Sequence, residues 1–92
     1  MSGPLKGKSA IITGSNSGIG LGVAEALAAQ GCNVALNSFT DRAEDHDLAA
    51  NIAIRHNVKA VYLRADMSKP DECRELVRKA EKALSGLDIL VN

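Results

Sequence analysis

The chain has 92 residues, 46% hydrophobic and 24% charged, a balance that fits one soluble globular unit and excludes a disordered or fibrous chain. Eleven basic residues offset eleven acidic ones and both are scattered, so no electrostatic footprint for nucleic acid or an anionic membrane is visible. Apolar runs extend over only a handful of residues and residues 1–8 lack an apolar core, which leaves neither a membrane span nor a signal peptide and points to a cytoplasmic protein.

After a short Gly/Pro/Lys lead-in, "KSAIIT" reads as a buried strand that stops at Gly14. From residue 18 to 30, Ile19, Val23, Ala26, Leu27 and Gln30 recur at helical intervals, and Gly31 stands where a left-handed capping residue would. "NVALN" is the second strand. "TDRAEDHDLAANIAIRH" has helical spacing through Ala43, Leu48 and Ile52, with Asp45 and Asp47 on a solvated face. "VKAVYLRAD" gives the third strand, and Tyr62 on it is read as sheet packing. Ser68 then opens a Ser-x-x-Asp cap, "SKPD", with Pro70 in the first turn and Asp71 and Glu72 suiting the positive helix end. Leu76, Val77, Ala80, Ala83 and Leu84 form that helix's apolar stripe, Glu72 and Arg78 its exposed face, and Gly86 its end. "LDILVN" is the fourth strand, where Asp88 carries a structural hydrogen bond.

The order βαβαβαβ predicts an α/β fold, a Rossmann-type doubly wound parallel sheet with right-handed crossovers and strand order 3-2-1-4. The strands read as apolar runs, as strands covered on both faces should. With that order only the third helix covers the second face, so half of that face is expected to lie bare, with the last strand as an edge. Residues 1–92 are therefore expected to be the N-terminal part of a single dinucleotide-binding domain, incomplete on its C-terminal side. Cys32 and Cys73 are isolated and match no metal spacing, and no metal is expected. His46 and His56 lack nearby partners and read as surface histidines.

The chemistry is concentrated in "TGSNSGIG", residues 13–20. Gly7-Lys8-Ser9 ends like a P-loop, but the first glycine of that motif would fall at Ser2 and the stretch precedes its strand. Gly-x-Gly-x-x-Gly fails because Val23 and Glu25 occupy the required glycine positions. Thr-Gly-x-x-x-Gly-x-Gly is satisfied throughout. Gly14 lets the chain leave the strand, Gly18 lets backbone approach a pyrophosphate, and Gly20 lets the helix pack close to the sheet. The helix N-terminus offers N–H groups and positive dipole to phosphates, and Ser15, Asn16 and Ser17 add donors.

These residues resemble the short-chain dehydrogenase/reductase family: "TGSNSGIG" its cofactor loop, "LRADMS" the segment whose Asp contacts adenine, and "LDILVN" the strand leading into its Asn-Asn-Ala-Gly motif. Residues 5–39 are most similar to bacterial D-3-hydroxybutyrate dehydrogenases, whose second strand ends in Leu-Asn-Gly-Phe; Ser38 stands in the glycine's place. The resemblance implies that Gly14, Ser15, Asn16, Ser17, Gly18, Ile19 and Gly20 surround the pyrophosphate and adjacent ribose, and that Phe39 lies against the adenosine. It implies that Asp66 accepts from the adenine amino group beside the Met67 backbone, and that Asn92 matches the first Asn of the four-residue motif. NAD is favoured over NADP, although Asn37, Ser38 and Phe39 carry no deciding charge; Asp41 and Arg42 come next, within reach of a ribose or a phosphate, or as caps of the following helix. The family's catalytic Tyr-x-x-x-Lys is not formed by Tyr62, since position 66 is Asp, so no catalytic residue is assigned. The implied activity is NAD-dependent interconversion of a secondary alcohol and a ketone, 3-hydroxybutyrate and acetoacetate, by a homo-oligomer acting on a small hydroxy or keto acid. The alternatives are an NADP-dependent 3-oxoacyl-carrier reductase and a non-catalytic dinucleotide-binding protein.

Overall fold

Strands and helices alternate along the chain as β1 (Ser9–Ile12), α1 (Gly18–Ala29), β2 (Asn33–Ser38), α2 (Ala43–His56), β3 (Ala60–Arg64), α3 (Pro70–Leu84) and β4 (Ile89–Val91). The computed structural model describes residues 3–92; Met1 and Ser2, part of the lead-in and of the rejected P-loop reading, lie outside the described residues. All strand pairs are parallel and the order is β3-β2-β1-β4, as expected. Ile11 sits opposite Ala35 on one side and Leu90 on the other.

Because side chains alternate across a strand, this register sorts the core into two layers. Ala10, Ile12, Val34, Leu36 and Tyr62 face α1 and α2, meeting Ala24, Ala28, Ala49 and Ile52. Ile11 and Ala35 face α3, meeting Leu76, Ala80 and Leu84. A fully buried Ile or Leu contributes about 1.5–3 kcal/mol, so the weight of the core lies on the two central strands, where Ile11, Ile12 and Leu36 are wholly enclosed. Tyr62 packs in this layer as expected, and its hydroxyl donates to the Thr40 carbonyl. Asp88 accepts from the Ser9 amide at 3.0 Å and so ties β4 to β1.

The helices exist where their spacing predicts, but three of their details differ. The buried face of α1 is Ala24 and Ala28, flanked by Leu21, Val23 and Leu27, while Ile19 and Ala26 are exposed; two alanines let the helix lie close to the sheet. Gly31, at φ +91°, follows as the left-handed cap. In α3 the stripe narrows to Leu76, Ala80 and Leu84, with Val77 and Ala83 on the solvent side. Ser68 does not cap α3: Lys69 holds the N-cap position, extended at φ −109° and ψ 114° as a residue before proline must be, and Ser68 turns to Asp66 instead. At the other end Ser85 takes the left-handed conformation one residue before Gly86.

The second face is also better covered than strand order alone suggests. Helix α3 packs across β3, β2 and β1, enclosing Ile11 and Ala35, so the open position is Leu90 on β4, 54% exposed.

Candidate functional site

β1 lies between β2 and β4, and α1, which leaves β1, packs on the opposite face of the sheet from α3, which leads into β4. A crevice opens at such a switch point. The glycine loop occupies it. Ser17 is extended at φ −164° and precedes Gly18 at φ +58°, which turns the chain into α1 with the first helical N–H groups unpaired. Ser17, Gly18 and Ile19 are all exposed on this side. Gly20 is required for a reason other than the expected one. A Cβ there would lie 2.3 Å from the Gly14 carbonyl oxygen, so the first turn of α1 rests on the loop's own backbone rather than on the sheet.

Ser15 is likewise placed differently from expectation. It is buried; its hydroxyl donates to the Ile12 carbonyl at 2.6 Å and accepts from the Asn37 amide at 2.8 Å, while its own amide donates to the Asn37 carbonyl at 2.7 Å. Its donors are used inside the fold, bracing the loop against β1 and β2. Asn16 reaches sideways: its Nδ2 donates to Asp45 Oδ1 at 3.1 Å and Thr40 Oγ1 at 3.3 Å. Asp45 therefore does not share the solvated face of Asp47. It is 1% exposed, and the Arg42 amide, donating at 2.9 Å, is the main influence holding its carboxyl well below the usual range.

On the other side of the loop a cavity of about 460 Å³ brings together Gly14, Phe39, Asp66 and Met67 with Asn37 and Ser38. Phe39 and Met67 hold apolar surface toward solvent, at 71% and 39% exposure, and Ile19 at 88% does the same at the start of α1. Two large apolar groups exposed on one cavity, Phe39 and Met67, mark a ligand-facing surface. Asp66 is held from two sides. Its amide donates to Glu72 Oε1 at 2.9 Å, and its carboxylate accepts from the Ser68 hydroxyl at 2.6 Å and amide at 3.0 Å. The hydroxyl contact is the leading cause of an acid strength above that of an ordinary aspartate. Glu72 thus braces this wall through the Asp66 amide rather than standing as a plain surface charge, and it also takes Arg64 at 2.9 Å.

Asn37 Oδ1 is the buried side-chain acceptor without a partner among the described residues, although its Nδ2 donates to the Leu63 carbonyl at 3.0 Å. An unsatisfied buried acceptor is costly, and one lining a cavity suits a ligand donor. Asn92 stands apart on the β4 side, accepting from Thr13 Oγ1 at 3.4 Å. At the end of β2, Asp41 pairs with His46 and Arg42 with Asp45. The histidines have partners after all, since His56 meets Glu25 at 3.3 Å. A second groove of about 470 Å³ lies beyond β3, but Asp41, His46, Arg64 and Glu72 on its wall are already paired there.

Asp45, Asn37, Thr40 and Glu72 escape a sequence reading because each is an ordinary polar residue whose direction is set by packing. The signal within reach is Asp45 three residues after Arg42, the spacing of an acid that caps a helix from its first turn. An extended arrangement results: an apolar and acidic wall at Phe39, Met67 and Asp66, a buried acceptor without a partner at Asn37, and unpaired helix N–H groups behind Gly18. Those parts fit adenosine and pyrophosphate.

Residues 8–92 match the family model for short chain dehydrogenase. The chain is 47% identical over 88 residues to D-beta-hydroxybutyrate dehydrogenase of Cupriavidus necator, a match covering 96% of this chain and 33% of that protein. Among solved structures it resembles a short chain dehydrogenase from Burkholderia cenocepacia in complex with NADP, with TM-score 0.88 and 36% identity over 96% of this chain and 36% of the other. It also resembles an NADH-dependent reductase complexed with NAD, with TM-score 0.86 and 39% identity over the same shares. The chain spans about a third of the length of these relatives.

Proposed function

The chain belongs to the short-chain dehydrogenase family, and on that footing we propose that residues 1–92 form the N-terminal part of one dinucleotide-binding domain in an NAD-dependent oxidoreductase. Its reaction interconverts a secondary alcohol and a ketone, with 3-hydroxybutyrate and acetoacetate as the substrate pair. The observation that carries this reading is the glycine loop at the switch point of a 3-2-1-4 sheet, with Ser17, Gly18 and Ile19 open in front of α1.

In this reading the N–H groups behind Gly18 hold the pyrophosphate, Phe39 and Met67 cover the adenosine, and the Asp66 carboxylate accepts from the adenine amino group. Asn37 Oδ1 takes a further donor from the nucleoside. The bound nicotinamide supplies hydride exchange with substrate carbon, while this chain's residues bind and orient. Tyr62 takes no part, being turned to Thr40. The similarity to the Cupriavidus necator enzyme supports this substrate pair. NAD is supported by the pairing of the basic groups near the end of β2, since Arg42, which follows it, and Arg64, beside Ser38 on β3, both meet carboxylates. The full protein is read as a cytoplasmic homo-oligomer acting on a small hydroxy or keto acid.

The test is a fluorescence titration of the full-length protein with NADH and NADPH, followed by an oxidation assay with 3-hydroxybutyrate. Binding of NADH in preference and reduction of NAD by that substrate are expected. Binding of neither nucleotide overturns the loop assignment; tight NADPH binding with turnover of a 3-oxoacyl substrate favours the reductase alternative, to which the NADP complex of the Burkholderia relative lends support.

A further inference from the structure

Asp45 is the fully buried carboxylate among the described residues, and its contacts exceed what a helix cap needs. Oδ2 accepts from the Arg42 amide at 2.9 Å, which alone would satisfy the first turn of α2, and also from Thr40 Oγ1 at 2.8 Å. Oδ1 accepts from Asn16 Nδ2 at 3.1 Å and from Arg42 Nη2 at 3.3 Å. One oxygen thus joins the glycine loop to the guanidinium that follows β2. Burying a carboxylate is unfavourable unless it is paired and hydrogen-bonded, and here every contact supplies a donor. The Arg42 side chain, three residues after Phe39 on the cavity wall, is 57% exposed, and its Nη2 donates to Asp45 Oδ1. Arg64, the guanidinium lining the cavity, is engaged by Glu72 at 2.9 Å and by the Phe39 carbonyl at 3.2 Å.

The chemistry that separates the two nicotinamide cofactors is one phosphate on the adenosine ribose, which a nearby arginine accommodates. We propose that Asp45 determines cofactor choice by holding Arg42: neutralised and turned toward α2, Arg42 is withheld from that phosphate, and NAD is preferred. Asp45 is a positioning and specificity-determining residue, acting through Arg42 and, by way of Asn16, on the loop itself. The inference rests on the dinucleotide reading above and supplies a cause for its preference.

Full-length wild type, Asp45→Asn, Arg42→Ala and the double variant are titrated with NADH and NADPH by fluorescence. In Asp45→Asn the NADPH-to-NADH affinity ratio should rise about tenfold, the effect of one charge-assisted contact to phosphate. Adding Arg42→Ala should cancel that rise, whereas Arg42→Ala alone should leave the wild-type ratio in place. A merely structural Asp45 would weaken both nucleotides by one factor and leave the ratio unmoved, which overturns the proposal. So does a selective loss of NADPH binding in Arg42→Ala, because Arg42 would then already be reading the phosphate; this arm decides if Asp45→Asn does not fold. Failure of wild type to bind either nucleotide would instead remove the dinucleotide reading on which the inference stands.

Discussion

Gly18 and Gly20 resist a side chain for different reasons, and the difference separates binding from folding. At φ +58° a β-branched residue is strained, and a Cβ on Gly18 meets nothing within 4 Å, so added bulk projects into the space in front of α1. Gly18→Val should abolish NADH binding in a fluorescence titration while lowering stability by about 1–3 kcal/mol in a urea melt; unchanged affinity would make the loop structural only. Gly20→Ala drives a Cβ to 2.3 Å from the Gly14 carbonyl, and overpacking against backbone should cost about 1–3 kcal/mol, read as a lower urea midpoint. The glycine spacing was legible in the sequence because each glycine answers a backbone requirement within seven residues of its neighbours. Asp45 was not. It and Asp47 look alike in "AEDHDL", and which of them turns inward depends on how α2 docks beside the loop. Ser15 is the same case: a hydroxyl in a glycine-rich loop looks like a ligand donor until β2 is known to lie against it.

At the scale of elements, periodicity finds the helices and tertiary contact chooses the face. In α3 the sequence offers five apolar positions, yet only Leu76, Ala80 and Leu84, four apart, reach the sheet, because the helix meets it along one ridge. Leu76→Ala should therefore destabilise by about 2–5 kcal/mol, while Val77→Gln and Ala83→Gln should change stability by less than about 0.5 kcal/mol, all from denaturant midpoints. Equal losses at the three positions would show that the broad stripe is the buried one. The Ser68 cap fails for a local reason that pattern matching passes over: Pro70 keeps Lys69 extended and starts the helix itself, leaving Ser68 beside Asp66. What the helix loses as a cap the crevice gains, since Ser68 and Glu72 hold Asp66 from both ends.

For the whole molecule, the α/β alternation was sufficient to predict a parallel sheet with right-handed crossovers, and the order 3-2-1-4 taken with it is the one observed. It was insufficient to say how far α3 extends over the second face, which depends on the packing of Leu76, Ala80 and Leu84 against Ile11 and Ala35. The junctions within the layer of α1 and α2 are ionic: Asp45 joins α2 to the loop, and Glu25 on α1 meets Arg55 and His56 on α2. Asp45 and Glu25 both have lowered folded-state pKa values, through the Arg42 amide and the Arg55 guanidinium respectively. A carboxyl shifted downward on folding contributes stability that is complete above its unfolded value and disappears as pH falls toward the folded one. The melting temperature should then be flat above about pH 5 and decline below about pH 4, with a shallower decline in Asp45→Asn; a melting temperature constant to pH 3 would show these pairs to be idle. The bracing of the loop by Ser15 has a calorimetric consequence. Because the hydroxyl already fastens Ser15 to Ile12 and Asn37, that part of the loop has little ordering entropy left to lose on binding. Nucleotide association should then proceed with a heat-capacity change no larger than the covered surface accounts for, and at a rate set by encounter rather than by rearrangement.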